Sequence, residues 1–333
     1  MRAVVLVGGF GTRLRPLTLT RPKQMLPIVD RPMIEHVLGH LAGHGIDDVV
    51  LSMGYRADAF TDVYPTGTCA GVQVHYAVEP EPLDTAGAIR FAARDARIDG
   101  RFVVVNADVL TDLDVSALVA FHQDRTAEGT IALHRVEDPS TFGVVPTDAK
   151  GRVEAFIEKP PRDEAPTDLI NAGIYVLEPS VLDRVAAGRK VSIEREVFPA
   201  MVADGTLYAM AGDAYWIDTG TPALYLRAQL DLLDGLRGEP VDGVHRDAEL
   251  HPGADVSRSV VGLDAVVADG AVVHESVVLG AARVGPGARL ERTIVGFGAT
   301  VGEAAELDDC VIGDGETVAA GERLDGIRRP PPD

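Results

Sequence analysis

Apolar and polar residues alternate along residues 1–235 in a way that predicts strands separated by helices. The runs at 3–7 and 102–106 are aliphatic at nearly every position, which is typical of strands buried on both faces. Further strands are predicted at 48–52, 72–78, 130–135, 144–145, 152–157, 169–177 and 207–210, and helices at 33–44, 85–96 and 115–123. This alternation favours an α/β fold with a mostly parallel, Rossmann-like sheet and helices on both faces.

A repeat with a period of 17 residues occupies the last part of the chain. Its aliphatic rows are Leu250, Val267, Val284, Val301 and Val318; Val256, Val273, Leu290, Leu307 and Leu324; and Val261, Val278, Val295 and Ile312. Three inward rows are what a three-sided parallel β-helix requires. The pattern resembles the left-handed hexapeptide β-helix, with one side shortened by a residue.

These patterns predict four parts of the chain. They are the α/β domain at 1–235, a linker rich in Gly and Pro at 236–247, the β-helix at 248–326 and a tail at 327–333. The terminal coils and rows of a β-helix offer surfaces that stack on one another. We therefore expect the chain to form a homo-oligomer through this part.

The composition is that of an ordinary globular protein, with 46% hydrophobic and 25% charged residues among 333. Apolar runs fall short of the ~20 residues of a membrane span, and we expect the first residues not to act as a signal peptide. Two distant cysteines, Cys69 and Cys310, fit a reducing compartment, so we expect a cytoplasmic protein without a membrane partner. A net charge of -20 without a basic stripe argues against a nucleic-acid partner.

One stretch departs from this acidic background. Residues 6–18 read Leu-Val-Gly-Gly-Phe-Gly-Thr-Arg-Leu-Arg-Pro-Leu-Thr, and residues 21–27 read Arg-Pro-Lys-Gln-Met-Leu-Pro. Residues 1–31 contain six Arg or Lys and a single acid, Asp30. Closely spaced glycines let backbone N–H groups approach a ligand and form a nest for phosphate oxygens. The stretch therefore indicates a small polyanionic ligand.

Simpler interpretations of this stretch explain less of it. Gly-Gly-x-Gly alone fits a packing turn with solvated arginines. A dinucleotide-binding G-x-G-x-x-G loop matches Gly9 and Gly11, and Asp30 lies near the distance expected of its ribose-binding acid. However, Leu14 replaces the third glycine, and Pro16 interrupts the helix that should begin there. A Walker A loop would need a Gly-Lys-Ser/Thr that the stretch lacks.

The full string, Gly-Gly-x-Gly-Thr-Arg-Leu-x-Pro-Leu-Thr followed by Pro-Lys-x-Met-Leu-Pro, resembles the signature of the sugar-1-phosphate nucleotidyltransferases. With Val7 ahead of the glycines, it is most similar to the mannose-1-phosphate guanylyltransferases. The resemblance implies Mg²⁺-dependent nucleotidyl transfer from an NTP, with GTP favoured, to a sugar 1-phosphate, with release of pyrophosphate. Because both reactants are anionic, such an enzyme needs fixed cations, a phosphate nest and carboxylates for the metal.

The resemblance assigns roles on the donor side. The predicted catalytic residues are Arg13, Lys23 and Asp108, and the predicted Mg²⁺ ligands are Asp108 and Asp218. Ala107 stands where the family triplet before Asp108 has Gly or Ser. The predicted nucleotide-binding residues are Leu6, Gly8, Gly9, Gly11, Thr12, Arg13, Lys23, Glu79, Pro82, Asp84, Thr85 and Gly87.

The base-binding loop departs from the family pattern, because Asp84 replaces a glycine. Glu79 or Asp84 would accept hydrogen bonds from the N1–H and the exocyclic amine of guanine. Thymine, with a single imide N–H, would use such a carboxylate less well. The alternatives are an exposed Asp84 without a ligand and a Thr85 that only caps the next helix.

On the sugar side, three short motifs follow the glycine stretch in the family's order: Phe-Gly-Val-Val at 142–145, Glu-Lys-Pro at 158–160 and Asn-Ala-Gly at 171–173. The predicted sugar-phosphate-binding residues are Asn106, Gly143, Glu158, Lys159, Asn171 and Glu194. Two further predicted site residues have purely structural alternatives. Glu194 would then lie in an ordinary helix start capped by Ser192, and Asp218 would cap the helix from Pro222, although Gly220 or Thr221 is better placed for that.

The sequence leaves alternatives for the activity. The substrates could be dTTP with glucose 1-phosphate, or GTP with another sugar or cyclitol phosphate. A non-catalytic regulatory subunit that binds a nucleotide-sugar is a different class of function. The presence of Arg13, Lys23, Asp108 and Asp218 together favours catalysis.

Overall fold

The computed structural model describes residues 1–54 and 56–332. Its α-helices are α1 (Met33–Gly43), α2 (Asp58–Val63), α3 (Asp84–Asp95), α4 (Val115–Arg125), α5 (Phe198–Ala203) and α6 (Pro222–Leu233). Short 3₁₀ turns lie at Thr12–Leu14, Lys23–Met25, Pro139–Thr141, Arg162–Glu164 and Pro179–Arg184, and a π-helical turn at Ile193–Val197. Within the described ranges, every helix is too short or too polar to cross a bilayer.

The first fourteen strands are β1 (Arg2–Leu6), β2 (Pro27–Ile28), β3 (Arg31–Pro32), β4 (Asp48–Met53), β5 (Thr68–Cys69), β6 (Val72–Val78), β7 (Phe102–Asn106), β8 (Val109–Thr111), β9 (Gly129–Arg135), β10 (Gly143–Val144), β11 (Ile157–Glu158), β12 (Leu169–Leu177), β13 (Leu207–Ala211) and β14 (Trp216–Asp218). The remaining strands are β15 (Glu249–Leu250), β16 (Asp255–Ser257), β17 (Val260–Val261), β18 (Val266–Val267), β19 (Val272–His274), β20 (Val277–Val278), β21 (Arg283–Val284), β22 (Arg289–Glu291), β23 (Ile294–Val295), β24 (Thr300–Val301), β25 (Glu306–Asp308), β26 (Val311–Ile312), β27 (Thr317–Val318), β28 (Arg323–Asp325) and β29 (Arg328–Arg329).

The chain forms two compact units, which we describe separately. Unit 1 comprises Met1–Gly9 and Ile34–Trp216, and unit 2 comprises Phe10–Met33 and the chain from Ile217 onward. The glycine stretch is therefore divided, because its cationic part belongs to the unit that contains the repeat. The domain boundaries expected from the sequence stay a prediction.

Unit 1 is built on a ten-stranded mixed sheet with the order β11-β10-β12-β7-β1-β4-β6-β5, to which β9 and β13 are joined through β12. Strands β7, β1, β4 and β6 are parallel neighbours, whereas β12 is antiparallel to β7. Successive residues of a strand point to opposite faces, and both Ala3 and Val4 of β1 are fully buried. The central strand is thus covered on both sides, and the predicted α/β fold is confirmed.

The strands predicted at 72–78, 102–106 and 169–177 have those bounds in the structure. The strand predicted at 152–157 is wrong in its first part. Only Ile157–Glu158 joins the sheet there, and Arg152 and Val153 make isolated bridges. The Glu154 N–H donates to the Pro146 carbonyl (2.9 Å), but Pro146 has no N–H with which to continue the ladder.

Unit 2 contains three parallel five-stranded sheets, with the orders β15-β18-β21-β24-β27, β16-β19-β22-β25-β28 and β17-β20-β23-β26-β29. Paired residues are one repeat apart, as in Val261 with Val278 and Val278 with Val295. The central members of each predicted aliphatic row are buried, whereas Leu250 in the first coil is 39% exposed. The three inward rows are confirmed, and the arrangement is consistent with the predicted left-handed β-helix.

Helix α6 anchors the end of residues 10–27, the part of the glycine stretch that lies in unit 2 and that we call the cationic segment. The Tyr225 hydroxyl (2.5 Å) and Gln229 Nε2 (2.8 Å) both donate to the Pro27 carbonyl, and Gln229 Oε1 accepts from the Val29 N–H (2.6 Å). Gln229 is fully buried, so these bonds are shielded from water. The segment is therefore fixed at its C-terminal end.

Candidate functional site

The glycine loop begins where β1 ends at Leu6. Gly9 has φ +97° and Gly11 φ +60°, values that residues with a side chain adopt only with strain. A Cβ on Gly8 or Gly9 would have no protein atom within 4 Å, so packing does not explain these glycines. Bare backbone in an exposed loop is what a phosphate nest needs.

In unit 2, two 3₁₀ turns carry the predicted cations, Arg13 in Thr12–Leu14 and Lys23 in Lys23–Met25. Gly11 precedes the first turn in the left-handed conformation, and its carbonyl accepts a hydrogen bond from the Thr18 hydroxyl (2.7 Å). Leu14 in the same turn is fully buried. The apolar residue thus fixes the turn while the guanidinium of Arg13 reaches solvent.

Arg13 lies beside Asp218, one of the predicted metal ligands. Arg13 Nη2 is 3.6 Å from Asp218 Oδ2, and the two side chains are 63% and 19% exposed. Asp218 Oδ1 accepts a hydrogen bond from the Gly220 N–H (2.8 Å). A Cβ on Gly220 would lie 2.5 Å from Arg13 Nη2 and 2.7 Å from Asp218 Oδ1. Gly220 is therefore a site residue that sequence reasoning missed, although its place two residues after Asp218 was a signal.

The structural alternative for Asp218 is wrong, because Thr221 caps α6. The Thr221 hydroxyl accepts a hydrogen bond from the Leu224 N–H (3.4 Å) at the start of that helix. The carboxylate of Asp218 is instead held by the Gly220 N–H, next to Arg13.

In unit 1, Asp108 follows the end of β7. Leu6 and Asn106, the last residues of β1 and β7, are paired, and the Ala107 N–H donates to the Leu6 carbonyl (3.1 Å). Asp108 and Gly8 thus leave the same edge of the sheet, the edge at which ligands of open α/β sheets bind. Ala107 is fully buried, which explains why a small residue stands before Asp108.

The Asn-Ala-Gly motif lies in an irregular part of β12. The pairing of β12 with β9 shifts register between Asn171 and Tyr175. Asn171 Nδ2 donates to the Tyr175 hydroxyl (2.9 Å), and Asn171 Oδ1 accepts from the Gly173 N–H (2.9 Å). Gly173 has φ +76°, and a Cβ there would lie 2.8 Å from Asn106 Nδ2. The antiparallel pairing of β12 with β7, in which Ile174 lies opposite Val105, brings the motif against Asn106, a second predicted sugar-binding amide.

Three predicted acids affect the pKa of the buried Tyr175. Burial is the main cause that raises the pKa of Tyr175 above its usual range. The negative charges of Glu194, Glu158 and Asp108 raise this pKa further, so these carboxylates lie within electrostatic reach of the phenol. Sequence reasoning missed Tyr175, because an aromatic residue in an apolar strand is typical of the core.

Strands β10 and β11 place Gly143 opposite Glu158. A Cβ on Gly143 would lie 2.6 Å from the Phe156 ring and 3.2 Å from Glu158 Oε2. Lys159 follows with φ +51°, and its Nζ is 3.6 Å from Glu158 Oε1. A cation and an acceptor therefore stand side by side at the end of β11.

Glu79 holds the loop that precedes α3. Its carboxylate is half-buried and accepts hydrogen bonds from the Leu83 N–H (2.9 Å) and the Ser52 hydroxyl (3.3 Å). Burial raises the pKa of Glu79 above its ordinary value. This residue therefore has a structural role in the loop. Pro82 in the same loop is exposed.

Asp84, in contrast, is exposed and has φ +60°. Its Oδ1 accepts a hydrogen bond from the Thr85 N–H (2.8 Å). Aspartate tolerates the left-handed conformation better than most residues with a side chain. The structure thus explains how Asp84 occupies a position where the resembling family has glycine.

Thr85 does not cap α3, which begins at Asp84. Its hydroxyl donates to Glu194 Oε2 (2.7 Å) and accepts from the Ile193 N–H (2.8 Å). The Ser192 hydroxyl also donates to Glu194 Oε2 (2.7 Å) and caps the π-helical turn, as the sequence indicated. A predicted nucleotide-binding residue and a predicted sugar-binding residue are thus joined.

Gly87 has a packing reason of its own. A Cβ on Gly87 would lie 2.8 Å from Leu83 Cβ and 2.9 Å from the Arg189 carbonyl oxygen. Its N–H donates to the Val191 carbonyl (3.2 Å). The glycine lets α3 approach the chain at Arg189 and Val191.

Within residues 1–54 and 56–332, His274, Glu275 and Glu291 form a group of three possible metal ligands whose atoms lie within 4.8 Å of one another. Arg258 already forms an ion pair with Glu275, and the Ser257 hydroxyl bonds to His274 Nδ1 (2.9 Å). We assign no metal to this group. The predicted ligands Asp108 and Asp218 belong to different compact units.

Two family models match the chain. One described as "Nucleotidyl transferase" matches residues 2–235, and one described as "GMPPB C-terminal domain" matches residues 240–327. The mannose-1-phosphate guanylyltransferase of Mycobacterium tuberculosis is 46% identical over 258 residues, 77% of this chain and 71% of that protein. The mannose-1-phosphate guanyltransferase of Schizosaccharomyces pombe is 44% identical over 242 residues, 71% of this chain and 66% of that protein. The match thus spans about two thirds of the length of these relatives.

Solved structures share the fold. A putative glucose-1-phosphate thymidylyltransferase from Bacillus anthracis, in complex with sucrose, has a TM-score of 0.63 and 25% identity, and the match covers 69% of this chain and 94% of that one. HddC from Yersinia pseudotuberculosis, complexed with GMP-PN, has a TM-score of 0.60 and 28% identity, and the match covers 68% and 97%.

Proposed function

Because the chain belongs to the nucleotidyl transferase family, we propose that it converts GTP and mannose 1-phosphate into GDP-mannose and pyrophosphate. Nucleotidyl transfer to a sugar phosphate is the activity for which these two relatives are named. Identities of 46% and 44% to two proteins named for mannose 1-phosphate and a guanylyl group support this choice of substrates. The observation that carries the chemistry is the Arg13–Asp218 pair, in which a cation of the kind that binds phosphate lies beside a carboxylate of the kind that binds Mg²⁺.

In the proposed reaction, a phosphate oxygen of mannose 1-phosphate attacks the α-phosphorus of GTP. A new P–O bond forms, the bond from the α-phosphorus to its bridging oxygen breaks, and pyrophosphate leaves with the electron pair. Because both reactants are anionic, catalysis consists mainly of positioning and charge neutralisation. Arg13 and Lys23 would supply positive charge to the triphosphate, and the N–H groups of the glycine loop would bind its oxygens.

Asp218 in unit 2 would hold Mg²⁺, and Asp108 in unit 1 stays a predicted metal ligand. Both are partly buried carboxylates, and hard oxygen ligands suit this ion. The Gly220 N–H fixes one oxygen of Asp218, which orients the other. The ion would neutralise part of the triphosphate charge.

The sugar phosphate would be bound by the residues gathered in unit 1. Lys159 would contact its phosphate, and Glu158 would accept hydrogen bonds from its hydroxyls. The amide of Asn171 is oriented by Tyr175, so it presents a fixed pattern of donors and acceptors. Glu194, held by Thr85, adds a second carboxylate to this side.

The base would be read by Asp84 rather than by Glu79. Glu79 is engaged by Leu83 and Ser52, whereas Asp84 is exposed at the start of α3. A carboxylate accepts both the N1–H and the exocyclic amine of guanine, which favours GTP over dTTP.

The test is a matrix of GTP, ATP, UTP and dTTP against mannose 1-phosphate and glucose 1-phosphate, with pyrophosphate release as the readout. We expect the highest kcat/KM for GTP with mannose 1-phosphate, its loss in EDTA and its recovery with Mg²⁺. A higher value for dTTP with glucose 1-phosphate would instead match the activity named for the Bacillus anthracis structure. No release with any pair would contradict catalysis and favour the regulatory-subunit alternative.

A further inference from the structure

The segment that carries Arg13 and Lys23 belongs to the same compact unit as the β-helix. The last coils of the β-helix contact this segment at two places, once at its first 3₁₀ turn and once just before its second.

Arg328, on the last strand β29, holds the first turn. Arg328 Nη1 donates to the carbonyl oxygens of Arg13 (3.1 Å) and Arg15 (3.4 Å). These are charge-assisted hydrogen bonds to main-chain atoms, so they constrain the backbone from which the Arg13 guanidinium extends. The residue at the far end of the chain thus fixes the position of a predicted catalytic cation.

Asp314, in the loop after β26, holds the chain that leads to Lys23. Its Oδ2 accepts from the Thr20 hydroxyl (2.5 Å) and from Arg21 Nη2 (3.1 Å), and its Oδ1 accepts from the Phe297 N–H (2.9 Å). The Arg21 guanidinium carbon lies 3.7 Å from the centroid of the Phe297 ring. The Asp314 side chain is only 10% exposed, so little water competes for these bonds.

The side of the β-helix that ends in Arg328 differs from the other two sides. Arg328 pairs with Val311, whose side chain points away from the inward row that contains Ile312. The outward residues of this side, Val260, Val277, Ile294 and Val311, are buried. In contrast, the outward positions of a second side include Arg289 and Arg323, which are exposed. The side bearing Arg328 is therefore an internal surface of the protein.

We propose that Arg328 and Asp314 are positioning residues for the nucleotidyl transfer. They fix the segment that bears Arg13 and Lys23, and so they give the β-helix a role in binding the triphosphate as well as any role in assembly. The inference rests on the proposed function for its kinetic part. Neither residue contacts the substrate in this scheme, because both act through the segment.

The kinetic test compares Arg328→Ala and Asp314→Ala with Arg323→Ala, which removes an exposed arginine paired with Glu306 on an outer side. We expect the first two to raise the KM for the NTP and to lower kcat/KM for the NTP by about tenfold or more, with the KM for the sugar phosphate unchanged. Arg328→Lys keeps a cationic donor group and should recover part of the loss. A purely structural role would lower the active fraction and leave both KM values unchanged, which would overturn the proposal.

A second measurement does not depend on catalysis. Hydrogen exchange of residues 10–26, measured without substrates, should be faster in Arg328→Ala and Asp314→Ala and unchanged in Arg323→Ala. Equal exchange in all three variants would overturn the proposal. If the wild-type protein is inactive with every substrate pair, the proposed function fails, and the exchange data alone decide whether the β-helix fixes the segment.

Discussion

Gly220 has no room for a side chain because the charged atoms of two site residues are next to it. Its φ is not in the left-handed region, so alanine fits the backbone, but the new Cβ would lie 2.5 Å from Arg13 Nη2 and 2.7 Å from Asp218 Oδ1. Both atoms are at the ends of side chains that can move aside. We expect Gly220→Ala to fold normally and to lower kcat/KM by about tenfold or more, because the cation and the carboxylate are displaced.

Steady-state kinetics measure the activity of Gly220→Ala, and thermal unfolding measures whether it folds normally. Gly212→Ala is the matched control, because a Cβ there meets no atom within 4 Å and its φ is also outside the left-handed region. The control should match the wild type in both measurements. Wild-type activity in Gly220→Ala would contradict a role for the Arg13–Asp218 pair.

Asp84 permits a test of base recognition without a change of backbone. Asparagine tolerates φ +60° as aspartate does, but it lacks the charge and replaces one acceptor with a donor. We expect Asp84→Asn to raise the KM for GTP by about tenfold, the effect of a lost hydrogen bond to a charged group, with no change in the KM for mannose 1-phosphate.

Asp84→Gly restores the residue of the resembling family and also removes the carboxylate. It should therefore weaken GTP binding as Asp84→Asn does. If both variants keep the wild-type KM for GTP, the base is read elsewhere in the loop, and Glu79 becomes the candidate.

At the scale of elements, local periodicity made most of the fold predictable. Strand β6 alternates between buried and exposed residues, and the inward rows of the β-helix repeat every 17 positions, so each signal lies within a short stretch of chain. The missed features depend on distant partners. Arg13 and Arg328 are 315 residues apart, and Gly173 in β12 lies against Asn106 in the neighbouring strand β7. A local sequence pattern carries no information about contacts between distant residues. The signature therefore predicted the candidate site residues, but it did not predict the residues that contact them.

The inward rows also permit a test of element stability. Leu290 is buried in a central coil, whereas Leu250 in the first coil is 39% exposed. We expect Leu290→Ala to lower the free energy of unfolding by about 2–5 kcal/mol, because it leaves a cavity between two coils. Leu250→Ala should cost about 0.5 kcal/mol or less. Urea unfolding followed by circular dichroism compares the two, and equal losses would contradict the assignment of the inward row.

At the scale of the whole molecule, sequence similarity and contacts divide the chain differently. The nucleotidyl transferase family model ends at residue 235, yet residues 10–33 belong to the compact unit that contains the β-helix. A chain cut at residue 235 would keep the whole signature but lose the partners of its cationic segment, among them Asp314 and Arg328. The family boundary and the boundary of independent function therefore need not coincide.

We expect residues 1–235 expressed alone to have a lower thermal midpoint than the full chain and to lose most of the activity. The hydrogen bonds that Arg328 and Asp314 make to the segment contribute about 1 kcal/mol each, and without them the backbone of Arg13 is no longer fixed.

A control chain that ends at Pro331 keeps both residues and should behave as the full chain does. If residues 1–235 alone reach the kcat and the KM for the NTP of the full chain, the β-helix contributes nothing to the site. Partial activity with a raised KM for the NTP and an unchanged KM for the sugar phosphate would show that its contribution is to the donor side.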